Sequence, residues 1–72
     1  MPDNSQSKVA TADVLTLLLH NQHALGAAIE EIARWIVHTG ANAVADSAIT
    51  ALDTLDKNAQ SITCAILRLR NS

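Results

Sequence analysis

Apolar side chains recur along this chain at alternating spacings of three and four residues, the pattern of a helix that buries one stripe. We call each such series a seam. In the first half of the chain the seam passes through one polar position and reads Leu15, Leu18, Gln22, Leu25, Ile29, Ile32 and Ile36. In the second half it is apolar throughout and reads Ala45, Ala48, Leu52, Leu55, Ala59, Ile62, Ile66 and Leu69. The pattern therefore predicts two long helices.

The residues between and before the two seams predict where the helices begin and end. Thr11 is the expected cap of the first helix, and Asp13 follows in its first turn, where a carboxylate interacts favourably with the helix dipole. His38 and Gly40 are typical of a helix end, because glycine readily adopts the left-handed conformation that closes a helix. Asn42 is the expected cap of the second helix.

These boundaries predict one all-α domain, an antiparallel helical hairpin. The predicted segments are a flexible polar N-terminal arm over 1–10 and a hairpin domain over 11–72, with helix 1 at about 12–38 and helix 2 at about 43–70. A break at residues 20–23 would instead give a three-helix monomer. The hairpin is favoured, because no glycine or proline interrupts those four residues and the seam keeps its phase across them.

Length and composition favour an oligomer over a monomer. The chain has 72 residues, 49% of them hydrophobic, with no Phe or Tyr and Trp35 as its one aromatic residue. A chain of this size is near the lower limit for burying a core of its own. Two wide apolar stripes would stay exposed in a lone hairpin, whereas pairing two hairpins into a homodimeric four-helix bundle buries them, as a hetero-oligomer also would. The predicted dimer seam is Leu18, Gln22, Leu25, Ile29, Ile32, Trp35, Ile36, Leu52, Leu55, Ile62 and Ile66.

Two members of the predicted dimer seam differ from the aliphatic pattern. A polar seam residue such as Gln22 fixes register and oligomeric state at some cost in stability; alternatively, the seam is loose there and Gln22 reaches water. Trp35 is expected level with Ala45 and Ala48, as a large side chain over a floor of small ones. The alternative for Trp35 is an anchor for a partner protein.

The charged and reactive groups indicate a binding protein rather than an enzyme. Five scattered Lys and Arg residues against seven Asp and Glu make nucleic acid an improbable partner. Cys64 is the single cysteine, with no histidine near it in sequence and no phosphate-binding loop in the chain, so we expect no catalytic residue and no cofactor. His20 and His23 share a helical face, but zinc needs three or four converging ligands. We expect no metal site, and a bundle binding metal or another ligand through His20, His23 and His38 is an alternative.

The expected location is the cytoplasm, without a membrane partner. The longest run without a charged residue, 14–29, has His20, Asn21, Gln22 and His23 in its middle. This run is not a membrane span, and the polar N-terminus does not have the form of a signal peptide. A single cysteine suits a reducing compartment.

A candidate partner-binding surface lies at the open end of the predicted hairpin, away from the turn. Leu17 and Leu67 fall outside both seams there, and His20 and Arg68 lie nearby as a polar rim. The expected function is a small non-enzymatic interaction module, such as an adaptor, inhibitor or anti-activator type regulator, that acts as a dimer and binds another protein.

The predicted dimer of hairpins resembles the Rop family of plasmid copy-number regulators in architecture alone. The resemblance implies a four-helix bundle, and regulators of that family bind RNA through polar and basic residues on one helix face. The corresponding face here is mixed to acidic: His20, His23, Glu30, Glu31 and Arg34. A Rop-like nucleic-acid-binding regulator is thus an alternative. The resemblance suggests it, and the mixed to acidic charge of this face argues against it.

Overall fold

The computed structural model describes residues 4–72 as two antiparallel helices. Helix α1 spans Ser5–His38 and helix α2 spans Asn42–Arg70, packed against each other over an elongated body of 61 × 14 × 13 Å. The predicted all-α hairpin is confirmed. The three-helix alternative is wrong, because α1 continues without a break through residues 20–23.

The connection between the helices depends on one glycine. Gly40 has a φ of +85°, the left-handed conformation predicted for it. The amides of Thr39 and Gly40 donate to the carbonyls of Ile36 and Val37, at 3.0 and 3.1 Å. These bonds satisfy carbonyl groups that the end of α1 would otherwise leave unpaired, so the chain reverses within three residues.

Helix α1 begins earlier than the sequence predicts. It starts at Ser5 instead of about residue 12, so the part of the expected 1–10 arm that the structure describes is helical from there; residues 1–3 lie outside the described residues. Thr11 is not a cap, because its Oγ1 donates to the Ser7 carbonyl at 2.8 Å from within the helix. The Lys8 Nζ donates to the Ser72 carbonyl at 3.3 Å. Helix α1 thus extends past Thr11, a good capping residue, and its added turns contact the end of α2.

Helix α2 also begins without the predicted cap. Ala41 occupies the cap position and makes no side-chain hydrogen bond there, while Asn42 is the first helical residue. The Ala45 amide donates to the Ala41 carbonyl at 3.1 Å, so the helix starts on backbone bonds. At the other end, Arg68 and Arg70 lie in the last turn, where cations interact favourably with the helix dipole.

The seam of α2 is the one that the sequence predicts. None of its members is exposed, and Ala45, Ala59 and Ile66 are buried. In α1 the hairpin covers four of the seven predicted seam residues, and the place of the other three in a dimer seam stays a prediction. Four members are half-buried as expected, namely Leu15, Gln22, Ile29 and Ile36, but Leu18, Leu25 and Ile32 are exposed. The residues that take their place beside α2 are Leu19, Gly26 and Ala33.

Small side chains explain why α1 turns this edge toward α2. Gly26 and Ala33 are buried, and a Cβ added at Gly26 would lie 3.3 Å from Leu52 Cδ1. The helices therefore approach closely through small residues. The larger Leu18, Leu25 and Ile32 are left beside the contact and not within it.

Candidate self-association face

A second apolar series runs along α1 beside its buried seam. It alternates spacings of four and three residues and reads Val14, Leu18, Asn21, Leu25, Ala28, Ile32 and Trp35. We call it the second stripe. Every member is exposed in the hairpin. At 3.5 residues per turn the second stripe lies about 100° around the helix from the buried seam.

Helix α2 adds a narrower apolar column on the same side of the hairpin. Glu30 and Val37 of α1 line a groove with Ile49 of α2, which shows that these edges of the two helices lie together on one side. On the opposite side, the second stripe therefore neighbours the other edge of α2. That edge carries a column of residues spaced by sevens: Val44, Ala51, Asn58 and Ala65. We call the second stripe and this column together the apolar face.

Charged residues are found on other surfaces of the hairpin. None occurs in the second stripe or in the α2 column. Arg34 pairs with Glu30, and Lys57 pairs with Asp53 at 2.9 Å, both one turn apart on exposed surface. The hydrogen bond and negative charge of Asp53 raise the pKa of Lys57. Such exposed pairs contribute little to stability, so the main asymmetry of the surface is the apolar face itself.

The exposed area of the chain is large for its mass. The chain exposes 5465 Å², whereas a compact monomer of 7.6 kDa exposes about 4,300 Å². The excess of about 1,200 Å² exceeds the roughly 800 Å² that each partner contributes to a standard protein interface. The buried apolar residues of the described chain are small apart from Ile66, namely Ala33, Ala45 and Ala59. One hairpin alone thus leaves most of its large apolar side chains in water.

Polar side chains interrupt both the inner seam, at Gln22, and the apolar face, at Asn21 and Asn58, at one level of the hairpin. Gln22 is half-buried, and its Oε1 is buried without a hydrogen-bond partner. Gly26 lies opposite Leu52 and Lys8 opposite Ser72, an alignment that places Asn58 level with residues 20–22. Asn21 and Asn58 are exposed members of the apolar face. We call Asn21, Gln22 and Asn58 the polar layer.

The residues predicted to bind a partner at the open end are all exposed. Leu17 is 64% exposed and Leu67 52%, and His20 and Arg68 are exposed as well. By helical phase Leu17 lies on the side of α1 opposite the seam and faces away from α2. Leu67 lies on the other helix, α2, and the binding of one partner by both leucines stays a prediction. Leu17 lies on the surface that an occupied apolar face would leave free.

The remaining candidate residues, the three histidines and Cys64, are all exposed. Among residues 4–72, no three His, Cys, Asp or Glu side chains form a group that could hold a metal ion. His20, His23 and His38 are each exposed, so a metal site would need ligands from another molecule. Cys64 is a free, exposed thiol.

Trp35 does not occupy the position expected for it within one hairpin. It is 68% exposed, so its predicted packing over Ala45 and Ala48 is wrong. Ala45 and Ala48 belong to the buried seam of α2, whereas Trp35 is the last member of the exposed second stripe. Its membership of a dimer seam stays a prediction.

The sequence did not predict Gly26 as a contact between the two helices, nor Asn21 and Asn58 as members of the apolar face. Gly26 continues the column of Leu19 and Ala33, a signal visible in the spacing but overshadowed by the larger Leu25. Asn21 and Asn58 become notable only when the antiparallel alignment brings them to the level of Gln22.

Comparison with known proteins gives no relative. No protein-family model matches the sequence, and no curated protein or solved structure shows significant similarity to it. In residues 4–72, neither helix combines the length and the apolar character that crossing a bilayer requires.

Replacing Gln22 with Leu is expected to raise the free energy of unfolding by about 1 kcal/mol, because an amide no longer has to be buried in an aliphatic seam. The variant is also expected to populate more than one oligomeric state, since the polar seam residue that specifies register is gone. Urea denaturation and light scattering measure the two effects. Gln60→Leu, on exposed surface of α2, is the matched control and should leave both unchanged. A less stable Gln22→Leu protein with the parent's mass distribution would contradict the prediction.

Proposed function

We propose that this chain is a small non-enzymatic protein–protein interaction module that acts as a homodimer, two hairpins forming one four-helix bundle. The observation that carries the proposal is the apolar face, which is uncharged and runs along α1 from Val14 to Trp35. A face of this length with no charged member is typical of a protein interface and not of a surface in water.

The spacing of the second stripe supports a helical partner. Its alternation of four and three residues over three heptads is the pattern by which one helix packs along another. In a four-helix bundle each helix has two neighbours in roughly perpendicular directions. The angle of about 100° between the buried seam and the second stripe matches that arrangement. A second copy supplies suitable helices without any further protein.

The dimer is proposed to act in the cytoplasm as an adaptor, inhibitor or anti-activator that binds another protein. Association through the apolar face leaves the outer side of α1 exposed, with Leu17 and His20 on it. Leu67 and Arg68 are the candidate contact residues on α2. No catalytic group or cofactor enters this proposal.

Light scattering at micromolar concentration is expected to give about twice the chain mass of 7.6 kDa. The melting temperature is expected to rise with protein concentration, because mass action stabilises a fold that depends on association. A compact monomer that melts at a concentration-independent temperature would overturn the proposal. Gel shifts with pooled RNA and duplex DNA at physiological salt test the Rop-like alternative, which submicromolar binding would support.

A further inference from the structure

The two ends of the hairpin carry opposite charge. The half that contains the turn, residues 22–57, holds five carboxylates against two cations: Glu30, Glu31, Asp46, Asp53 and Asp56 against Arg34 and Lys57. The described open half, residues 4–21 and 58–72, holds one carboxylate against three cations: Asp13 against Lys8, Arg68 and Arg70. The hairpin is therefore acidic toward its turn and basic toward its open end.

The polar layer lies between these two halves. Gln22 is close to the midpoint of α1, which runs from Ser5 to His38, and Asn58 is close to the midpoint of α2. A polar group within an apolar seam is best tolerated opposite another polar group. A central position allows the polar layers of two copies to meet even when the copies point in opposite directions.

We infer that the second copy docks on the apolar face antiparallel to the first, with the two-fold axis at the level of Gln22 and Asn58. This inference rests on the proposed homodimer and specifies its geometry. The acidic turn half of each copy then lies beside the basic open half of its partner. The exposed Asn21 and Asn58 of the two copies meet near the axis, where their amide groups can hydrogen-bond to one another.

The parallel arrangement is disfavoured by the same residues. It would set acidic half beside acidic half and basic half beside basic half, and like charges brought together across an interface are repulsive. It would also bring the two exposed Trp35 side chains to one level. In the antiparallel dimer Trp35 approaches the other copy's open end, where the residues in phase with the second stripe are small, such as Ser7.

Distances between spin labels on two matched cysteines test this geometry. Cys64 is the native thiol, and Ala43 lies three heptads before it in the same exposed column of α2. One protein carries the label on Cys64, and the other carries it on Ala43→Cys with Cys64→Ser. Because the two sites share a column, their sideways displacement from the two-fold axis is the same, and only their distance along the bundle differs.

In the antiparallel dimer the two Ala43 sites are about 45 Å apart along the bundle, and the two Cys64 sites about 18 Å, at 1.5 Å per residue from Asn58. The label distance measured at position 43 is therefore expected to exceed that at position 64 by about 20 Å. Equal distances in a protein of dimer mass would overturn the antiparallel geometry while leaving the homodimer intact. A monomer mass with no dipolar coupling at either site would overturn the homodimer and, with it, this inference.

Discussion

Replacing Leu25 with Asp is expected to abolish the proposed dimer and, with it, most of the helix content at micromolar concentration. Leu25 is 53% exposed in the hairpin and lies in the middle of the second stripe. Two-fold symmetry places two new carboxylates, one from each copy, in the dimer interface. An unpaired buried charge costs several kcal/mol. A chain of this size is near the lower limit for burying a core of its own, so we expect the separated hairpins to unfold. Circular dichroism and light scattering on the same samples measure the two losses.

Leu17→Asp is the matched control for this experiment. Leu17 is 64% exposed, lies about two helical turns before Leu25, and faces away from the seam. The substitution adds the same charge and is expected to change the free energy of unfolding by less than about 0.5 kcal/mol. Equal losses from the two substitutions would show that added charge, and not its position, is responsible. A helical, dimeric Leu25→Asp protein would show that the second stripe is not the interface.

Gly26→Leu is expected to lower the free energy of unfolding by about 3 kcal/mol, despite the better helix propensity of leucine. A Cβ added at Gly26 would lie 3.3 Å from Leu52 Cδ1, so a full leucine side chain is expected to force α1 and α2 apart. Thermal and urea denaturation measure the loss. The double variant Gly26→Leu with Leu52→Ala should recover most of it, because the exchange approximately conserves volume.

Gly26→Ala separates crowding from backbone effects. One methyl group requires the flexible end of Leu52 to shift by a few tenths of an ångström, while alanine gains about 1 kcal/mol of helix propensity over glycine. This variant is therefore expected to be at least as stable as the parent. A Gly26→Leu protein as stable as the parent would mean that the helices do not approach closely at this level.

The two helices differ in how far their packing could be predicted from sequence. Helix α2 contains one complete apolar series with alternating spacing, so its seam was predicted at every position. Helix α1 contains two series that share Leu15, Gln22, Ile29 and Ile36. Hydrophobicity favours completing the series with Leu18, Leu25 and Ile32, yet the hairpin uses Leu19, Gly26 and Ala33. The distance between two packed helices depends on the side chains of both, so the pattern of one helix alone does not predict it.

The candidate site was predictable only in outline. The excess of apolar residues and the polar interruption at Gln22 are visible in the sequence. The division of α1 into an inner seam and an outer stripe depends on the packing at Gly26. The relation between Leu17 and Leu67 depends on the rotation of each helix about its axis, which spacing along the chain does not determine. The early start of α1 is accompanied by a contact with the end of α2, which the local signal of Thr11 does not contain.

The uninterrupted heptad phase of the hairpin restricts how its length can change. A one-residue insertion near the middle of α1 would rotate all later side chains by about 100°, the same angle that separates the inner seam from the second stripe. Beyond the insertion, the side chains of the inner seam and of the second stripe would no longer face the residues that they face in the parent. Insertion or deletion of seven residues restores both, provided that α2 changes by the same amount to keep the ends level. Lengthening and shortening of this molecule are therefore expected in whole heptads, in both helices together.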